Sequence, residues 1–378
     1  MRSALWWLAI PAIALTAVVV LLLVWRPLDR LSAAAPPVEE ISVESVKLTP
    51  GVISLSLRTD GSEPVAIKQV QVDGAYRTFA ASPEIPATRL SQVQLNIPYP
   101  WIRGESHRIA LITETGVVFQ HVIDVAEETP HLNGSSLQIL GLVGTLLGVV
   151  PVAIGLLAWP ALRSISSSGL NFLLALTIGL LGFLLVDTIG EGLEQASHTI
   201  GRLRGPVLFW AVLALTTMVL LVIGRKQGRP PEGLKLATFI ALGIGLHNFG
   251  EGLAVGAALS SGAAALAAYL VIGFTIHNVT EGIGIAAPVS QERPTLVHLA
   301  GLAALAGLPA VAGTILGTQA ISPLWIAVCF GVGAGAILQV IIEVGSLMQR
   351  RSGSLVVPSA AAGVTTGLAV MYATALLV

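Results

Sequence analysis

Two copies of one short motif hold the residues of this chain that could carry out chemistry. Residues 247–252 read His-Asn-Phe-Gly-Glu-Gly, and residues 277–282 read His-Asn-Val-Thr-Glu-Gly. In each copy the histidine and the glutamate are four residues apart, so on a helix they share one face. Two such faces opposed would bring two imidazoles and two carboxylates to one point, and this ligand set suits divalent transition metals. The predicted metal ligands are His247, Glu251, His277 and Glu281.

The asparagines of the two motifs extend this predicted site. On a helix, Asn248 and Asn278 lie about 100° round from the histidines, at the edge of the same face. Each could contribute a carbonyl oxygen or hold a metal-bound water. A buried network of hydrogen bonds between helices is the alternative interpretation of a single His/Glu pair, but two copies on adjacent helices favour a metal.

The elements that must position these residues are membrane helices. Only 11% of the 378 residues are charged and 54% are hydrophobic, whereas a soluble domain has about 25% charged residues. The composition therefore predicts a polytopic membrane protein. Its net charge of −1 argues against a nucleic-acid partner, and its single cysteine excludes a disulfide within the chain. Eight apolar spans are predicted, at residues 136–159, 169–192, 206–224, 233–259, 263–287, 296–318, 323–347 and 355–377.

The eight spans together form a predicted membrane domain at residues 135–378. Two further regions precede this domain. Residues 1–26 are mostly apolar, and we interpret them as an uncleaved N-terminal anchor helix, with a cleaved signal peptide as the alternative. Residues 36–130 contain short runs that largely alternate between apolar and polar residues, separated by Gly, Pro and Asp. This pattern and a length of about 100 residues predict a small all-β sandwich, similar to an immunoglobulin domain.

The distribution of Lys and Arg between the predicted loops indicates the orientation of the chain. One alternate set of loops contains eight of these residues, and the opposite set contains only Arg202 and Arg204. Because positively charged loops stay in the cytoplasm, the N-terminus is predicted to be cytoplasmic. The β domain and the C-terminus are then extracytoplasmic, on the outer side of the cell membrane. The larger set consists of Arg163, Arg225, Lys226, Arg229, Lys235, Arg293, Arg350 and Arg351.

The two motifs, on the fourth and fifth of the eight predicted spans, resemble those of the ZIP (Zrt/Irt-like) metal transporters. The resemblance covers residues 135–378. It implies an eight-helix bundle that carries a divalent metal toward the cytoplasm, chiefly Zn²⁺ and also Fe²⁺, Mn²⁺ or Cd²⁺. The anchor helix and the β domain have no counterpart in this resemblance. It implies primary ligands at His247, Glu251, His277 and Glu281, and secondary ligands at Asn248 and Asn278.

The sequence departs from the family pattern at two places. ZIP proteins often have a proline just before each motif glutamate, whereas this chain has Gly250 and Thr280 there, so the kink that a proline would form is missing. Some bacterial members have a second adjacent metal, held partly by a carboxylate of the sixth helix. The sixth span of this chain has none, and one metal is therefore expected.

Carboxylates in two other spans are also candidate site residues. Asp187, Glu191 and Glu194 are spaced by four and three residues, so they form one face of the second span. This face resembles the polar second helix of the family, where it would draw cations to the site; a solvated helix end is the alternative. Glu343 in the seventh span resembles an acidic residue near the cytoplasmic exit, with a structural role as the alternative.

The leading functional hypothesis is therefore a divalent metal importer that is not an enzyme and that works in a lipid bilayer. An intramembrane metal-dependent hydrolase is the second hypothesis, and it would need three firm ligands, an open coordination position and a separate base. A metal sensor that binds without transport, with the β domain as its effector, is the third. If the β domain pairs with itself, the protein is a homodimer.

Overall fold

The computed structural model describes most of the chain as a β domain followed by a helical membrane domain. The described residues are 13–18, 20–21, 38–61, 64–83, 85–88, 90–129, 133–199, 201–225, 231–260, 264–319, 322–353 and 357–376. The predicted anchor at residues 1–26 lies mostly outside these ranges. Within it, residues 13–18 and 20–21 are helical.

The alternating runs of the N-terminal region fold as eight strands in two antiparallel sheets. One four-stranded sheet has the order β1-β2-β6-β5 and the other has the order β4-β3-β7-β8. In β2 every second side chain, at Ile53, Leu55 and Leu57, is buried in the apolar core that the two sheets share. The strands are β1 (Glu39–Thr49), β2 (Val52–Gly61), β3 (Ile67–Val72), β4 (Ala75–Arg77), β5 (Ala80–Ser82), β6 (Gln92–Pro98), β7 (His107–Thr113) and β8 (Val118–Ile123).

The strand order gives this domain an immunoglobulin-like arrangement. If the eight strands are lettered A, B, C, C′, D, E, F and G along the chain, the sheets read A-B-E-D and C′-C-F-G. Constant-type immunoglobulin domains have the sheets ABED and CFG, so this domain adds one short strand beside C. A sandwich of this kind buries alternate residues of every strand, which is the pattern that the sequence shows.

The described part of the membrane domain contains eight helices, and seven of them are long and apolar enough to cross a bilayer. The eighth predicted span is helical, but it is only 18 residues long and rich in Ser, Thr and Gly, and it is not one of these seven. The described chain is therefore a multi-pass membrane protein with seven candidate spans. The helices are α1 (Gly134–Leu162), α2 (Ser167–Ser197), α3 (Gly205–Gly224), α4 (Gly233–Ser260), α5 (Ala264–Ala286), α6 (Leu296–Gly317), α7 (Pro323–Ser352) and α8 (Pro358–Ala375).

Several helices begin where the sequence supplies a capping side chain. The side chains of Asn133, Ser166 and Thr295 accept hydrogen bonds from backbone N–H groups in the first turns of α1, α2 and α6. Such caps satisfy donors that have no partner within the helix. At the other end of α7, Gly353 adopts a φ of 71°, the left-handed conformation that commonly terminates a helix.

The helices form two groups by their packing. In the first group α4 packs on α6, α5 packs on α1, and α1 contacts α6. In the second group α2 packs on both α7 and α8, and α3 packs on α7. The contact between α4 and α7 is the main one that joins the two groups. The first group contains both motifs.

Glycines allow the closest helix contacts in the first group. A Cβ at Gly155 of α1 would collide with the carbonyl oxygen of Val279 and would lie 2.7 Å from the Cα of Gly282 in α5. A Cβ at Gly256 of α4 would likewise lie 2.9 Å from the Cα of Gly317 in α6. Small residues are typical of helix interfaces in membranes, where association depends on close packing of backbones.

The β domain rests on the loop between α2 and α3. The Ser42 hydroxyl donates to the carbonyl of His198 at 2.7 Å, and the backbone N–H of Gly201 donates to the carboxylate of Glu40 at 2.7 Å. His121 of β8 and Pro323 of α7 line one cavity at this contact. The loop between α2 and α3 contains Arg202 and Arg204, the two residues of the smaller set of loop charges.

The contact between Gly155 and Gly282 generates a stability prediction. We expect Gly155→Ala to destabilise the protein by about 1–3 kcal/mol, because the added methyl group must push two backbones apart. Gly182→Ala in α2 is the matched control, since a Cβ at Gly182 meets no atom within 4 Å; its effect should be below about 1 kcal/mol. Thermal unfolding of both variants in detergent measures the difference. Equal melting temperatures would contradict this account of the helix contact.

Candidate metal site

One carboxylate oxygen joins the two motifs at the centre of the membrane domain. Oε1 of Glu251 lies 3.1 Å from Nε2 of His247, one turn earlier in α4, and 2.5 Å from Nε2 of His277 in α5. One ligand atom from each of the three side chains lies within 4.8 Å of the others. All three residues are buried, with exposed fractions of 4% for Glu251, 6% for His247 and 3% for His277. Metal ligands lie 2.0–2.2 Å from zinc, so a small shift of these side chains would place all three on one ion.

Asn278 completes the hydrogen bonding of the Glu251 carboxylate. Its Nδ2 donates to Oε2 of Glu251 at 3.1 Å and also to the carbonyl oxygen of Leu147 in α1 at 3.0 Å. Both oxygens of Glu251 are therefore bound, one by two imidazoles and the other by an amide. These bonds hold the carboxylate at a fixed position between α4, α5 and α1.

Thr188 of α2 lies behind His247. Its Oγ1 is 3.4 Å from Nδ1 of His247. If a neutral His247 donates its Nε2 proton to Glu251, its Nδ1 accepts from the Thr188 hydroxyl; if Nε2 binds a metal instead, Nδ1 carries the proton and donates to the same hydroxyl. A hydroxyl can serve both roles, so Thr188 can hold the ring in either state. Partners of this kind orient metal-binding histidines.

Each motif has a second face that attaches it to a neighbouring helix. Asn248 donates from Nδ2 to the carbonyl oxygen of Ala306 in α6 at 3.0 Å, as Asn278 does to α1. The last glycine of each motif, four residues later, lies on the same face, and a Cβ at Gly252 or Gly282 would collide with a backbone carbonyl of that same neighbour. The His/Glu face thus forms the site, and the Asn/Gly face fixes its position.

The irregular backbone near the site lies in the neighbouring helices. α4 and α5 continue as α-helices through Gly250 and Thr280, where the resemblance would place prolines. Instead, the carbonyl that Asn278 binds belongs to a π turn at Thr145–Val149 of α1. The carbonyl that Asn248 binds is three residues before Pro309 of α6. π turns and prolines disturb the regular helical hydrogen bonds, and both occur where a motif asparagine docks.

Glu281 is buried but has no hydrogen-bond partner among the described residues. Its exposed fraction is 1%, and both of its oxygens are unpaired. It interacts electrostatically with Glu251. The Oδ1 atoms of Asn248 and Asn278 are also buried and unpaired in the described part of the chain. An unpaired buried carboxylate is costly, although Glu281 is not one of the three residues whose ligand atoms lie within 4.8 Å of one another.

The carboxylates of α2 lead to this cluster from the side of the β domain. Asp187 is exposed, and it interacts electrostatically with His247, His277 and Glu251. Glu191 is also exposed, and it interacts electrostatically with Asp187 and Glu194. Of these residues, Glu194 lies nearest to the end of α2 at Ser197. The face that the spacing predicts is therefore present, with Asp187 nearest to the cluster.

Glu343 is not part of the cluster. The structure pairs it with Arg225, just after α3: Nε of Arg225 donates to Oε1 at 2.8 Å, and one Nη donates to Oε2 at 3.2 Å. Of the two roles that the sequence left open for Glu343, this arrangement favours a structural contact between α3 and α7.

Two polar residues near the site were not identified from the sequence. Thr188 has no motif of its own, although it follows Asp187 directly. Gln339 of α7 is fully buried, and its amide has no partner among the described residues. The available signal for Gln339 was a polar glutamine within an apolar run, because polar side chains are costly inside a membrane span and often functional there.

No protein-family model matches the chain, and no curated protein matches it.

The cluster generates a prediction about metal binding. We expect the purified protein to bind Zn²⁺ and His277→Ala to weaken that binding by about 100-fold or more, since loss of even an outer partner of a ligand typically costs 10–100-fold. Binding should also weaken on acidification, because a ligating imidazole must be unprotonated. Equilibrium titration with Zn²⁺ measures both effects.

The control for this titration is His298→Ala. His298 is exposed at the start of α6, where Nδ1 lies 2.9 Å from the Thr295 hydroxyl, and it is not part of the ligand cluster. The His298→Ala variant should bind Zn²⁺ with the same affinity as the unaltered protein. Equal affinity in His277→Ala would rule out the cluster as the binding site.

Proposed function

We propose that the chain is a transporter that moves a divalent metal ion across the cell membrane, as its resemblance to the ZIP family implies. The observation that carries this proposal is the buried cluster of His247, Glu251 and His277, which lies within two candidate membrane spans. Ionisable residues at such positions cost about 2.5–3.5 kcal/mol each on insertion scales. A function that needs them is the simplest reason to retain them.

The chemistry of the unpaired groups supports a cation as the substrate. The two Glu281 oxygens and the Oδ1 atoms of Asn248 and Asn278 are all acceptors. A purely structural network would supply donors to them from neighbouring side chains, as it does for Glu251. Imidazole with carboxylate favours Zn²⁺, while Fe²⁺ and Mn²⁺ remain compatible with the same set.

A route from the side of the β domain to the cluster follows from the proposal. The ion would approach along Glu194, Glu191 and Asp187, which are spaced by about one turn of α2. It would then pass to the ligands of α4 and α5 between the two groups of helices. With the β domain outside and the Lys/Arg-rich loops inside, this direction is import.

Transport further requires that the site open to each side in turn. The two groups of helices offer a division for such a movement, since the ligands belong to the first group while Asp187 and Thr188 belong to the second. Movement of one group against the other would therefore separate His247 from Thr188 and the cluster from the α2 carboxylates.

The hydrolase and sensor hypotheses differ from this proposal in one measurable respect, since neither carries metal across the bilayer. We expect the purified chain, reconstituted in proteoliposomes, to take up Zn²⁺ down its gradient. A double variant, His247→Ala with Glu281→Ala, should reduce the initial rate to that of protein-free vesicles, because it removes one acceptor from each motif. A zinc-sensitive dye inside the vesicles measures the rate.

A second double variant, His298→Ala with Glu292→Ala, controls for the loss of a histidine and a glutamate as such. Both of these residues are exposed, and uptake should match the unaltered protein. Tight zinc binding without uptake, under metal gradients in either direction, would refute transport and support a sensor or a hydrolase.

A further inference from the structure

An ion pair between Arg225 and Glu343 joins the end of α3 to α7 at the end opposite the β domain. Glu343 of α7 is about 1% exposed, whereas the side chain of Arg225, just after α3, is 35% exposed. Arg225 thus reaches inward from the membrane surface to bind both carboxylate oxygens, and the same guanidinium lies 3.3 Å from the hydroxyl of Ser346. A fork of this kind matches a carboxylate better than a lysine would.

The ion pair lies beyond the metal cluster along the axis of α7. Gly333 of α7 lies beside the cluster, since a Cβ there would be 3.4 Å from the carbonyl oxygen of Leu246 and 3.5 Å from the Cα of His247. Further along α7, Val340 contacts Gly243, one turn before His247 in α4. Ten residues of helix separate Gly333 from Glu343, which is about 15 Å. Glu343 is therefore displaced from the cluster toward the end of α7 that carries Arg350 and Arg351.

Gln339 lies between the cluster and the ion pair. It precedes Glu343 by four residues, so the two side chains share one face of α7. Its exposed fraction is zero, and neither atom of its amide has a partner in the described part of the chain. This face of α7 therefore carries the Gln339 amide, without a partner among the described residues, and then the Glu343 carboxylate, which the Arg225 guanidinium already binds.

We propose that Arg225 is a tethered cation that closes the inner half of the metal path by occupying Glu343. This inference rests on the proposed transport function. While the guanidinium binds both oxygens, the carboxylate cannot accept a metal ion, and Arg225 holds α7 one turn beyond Gln339. Opening toward the cytoplasm then requires that Arg225 leave Glu343, which separates the end of α3 from α7. Arg225 is a positioning residue, since it acts through Glu343 and does not bind the metal.

Chemical accessibility of position 339 tests this closure without depending on transport. In a background with Cys329→Ser and Gln339→Cys, the new thiol should react slowly with a positively charged, membrane-impermeant thiol reagent added on the side opposite the β domain. Adding Arg225→Ala should raise the labelling rate at least tenfold. Protease digestion of the β domain from the other side establishes the orientation of the vesicles.

Two further variants separate the charge from the shape of Arg225. The reversed pair, Arg225→Glu with Glu343→Arg, should restore slow labelling, because it rebuilds the contact with the charges exchanged. Arg350→Ala is the matched control, since Arg350 pairs with Glu232 at 3.1 Å at the same end of the molecule and does not contact Glu343. Its labelling rate should equal that of the background.

The outcomes distinguish this inference from the transport proposal. Unchanged labelling in Arg225→Ala, in a protein that takes up zinc, would overturn the closure and leave transport supported. Faster labelling in a protein that takes up no zinc would overturn transport while the closure by Arg225 stands as a structural contact. Equal acceleration by Arg350→Ala would show a general loosening of that end of the bundle and would also overturn the closure.

Discussion

The buried carboxylate of Glu251 is the constraint on which the rest of the membrane domain depends. A buried carboxylate that keeps its charge is costly unless it is hydrogen-bonded or paired. Its two oxygens receive bonds from His247, His277 and Asn278. These partners come from two helices, and Asn278 is held in turn by the backbone of α1. The hydrogen bonds of one carboxylate therefore connect α1, α4 and α5.

The two faces of the motif explain why its residues are spaced as they are. Histidine and glutamate at an interval of four form the site, and asparagine and glycine at the same interval face the neighbouring helix. Asparagine binds a backbone carbonyl of the neighbouring helix, in the π turn of α1 or one turn before Pro309 of α6, and glycine lets that backbone come close enough. The same six residues thus specify both the ligands and the helices that support them, and two copies produce matching arrangements on α1 and α6.

Local spacing was enough to predict the motif faces, the membrane helices and the strands, because each depends on a period within a short segment. The sequence did not reveal that Glu251 binds both imidazoles while Glu281 has no hydrogen-bond partner among the described residues, since this depends on how α4 and α5 are displaced along each other. The π turn of α1 has no composition signal, and Arg225 and Glu343 are 118 residues apart. The last span was predicted from its apolar residues, but its Ser, Thr and Gly leave an 18-residue helix outside the seven candidate spans.

The β domain connects the two groups of helices, because it is joined to one by the chain and contacts the other. The chain joins the sandwich covalently to α1, in the group that holds the motifs, while Glu40 and Ser42 bind the loop after α2, in the other group. Thr129 is fixed to β1 by a hydrogen bond from its N–H to Leu48, and Asn133 caps α1. Four residue steps between them can span no more than about 14 Å. The sandwich consequently limits how far the two groups of helices could be displaced relative to each other while the hydrogen bonds of Glu40 and Ser42 persist.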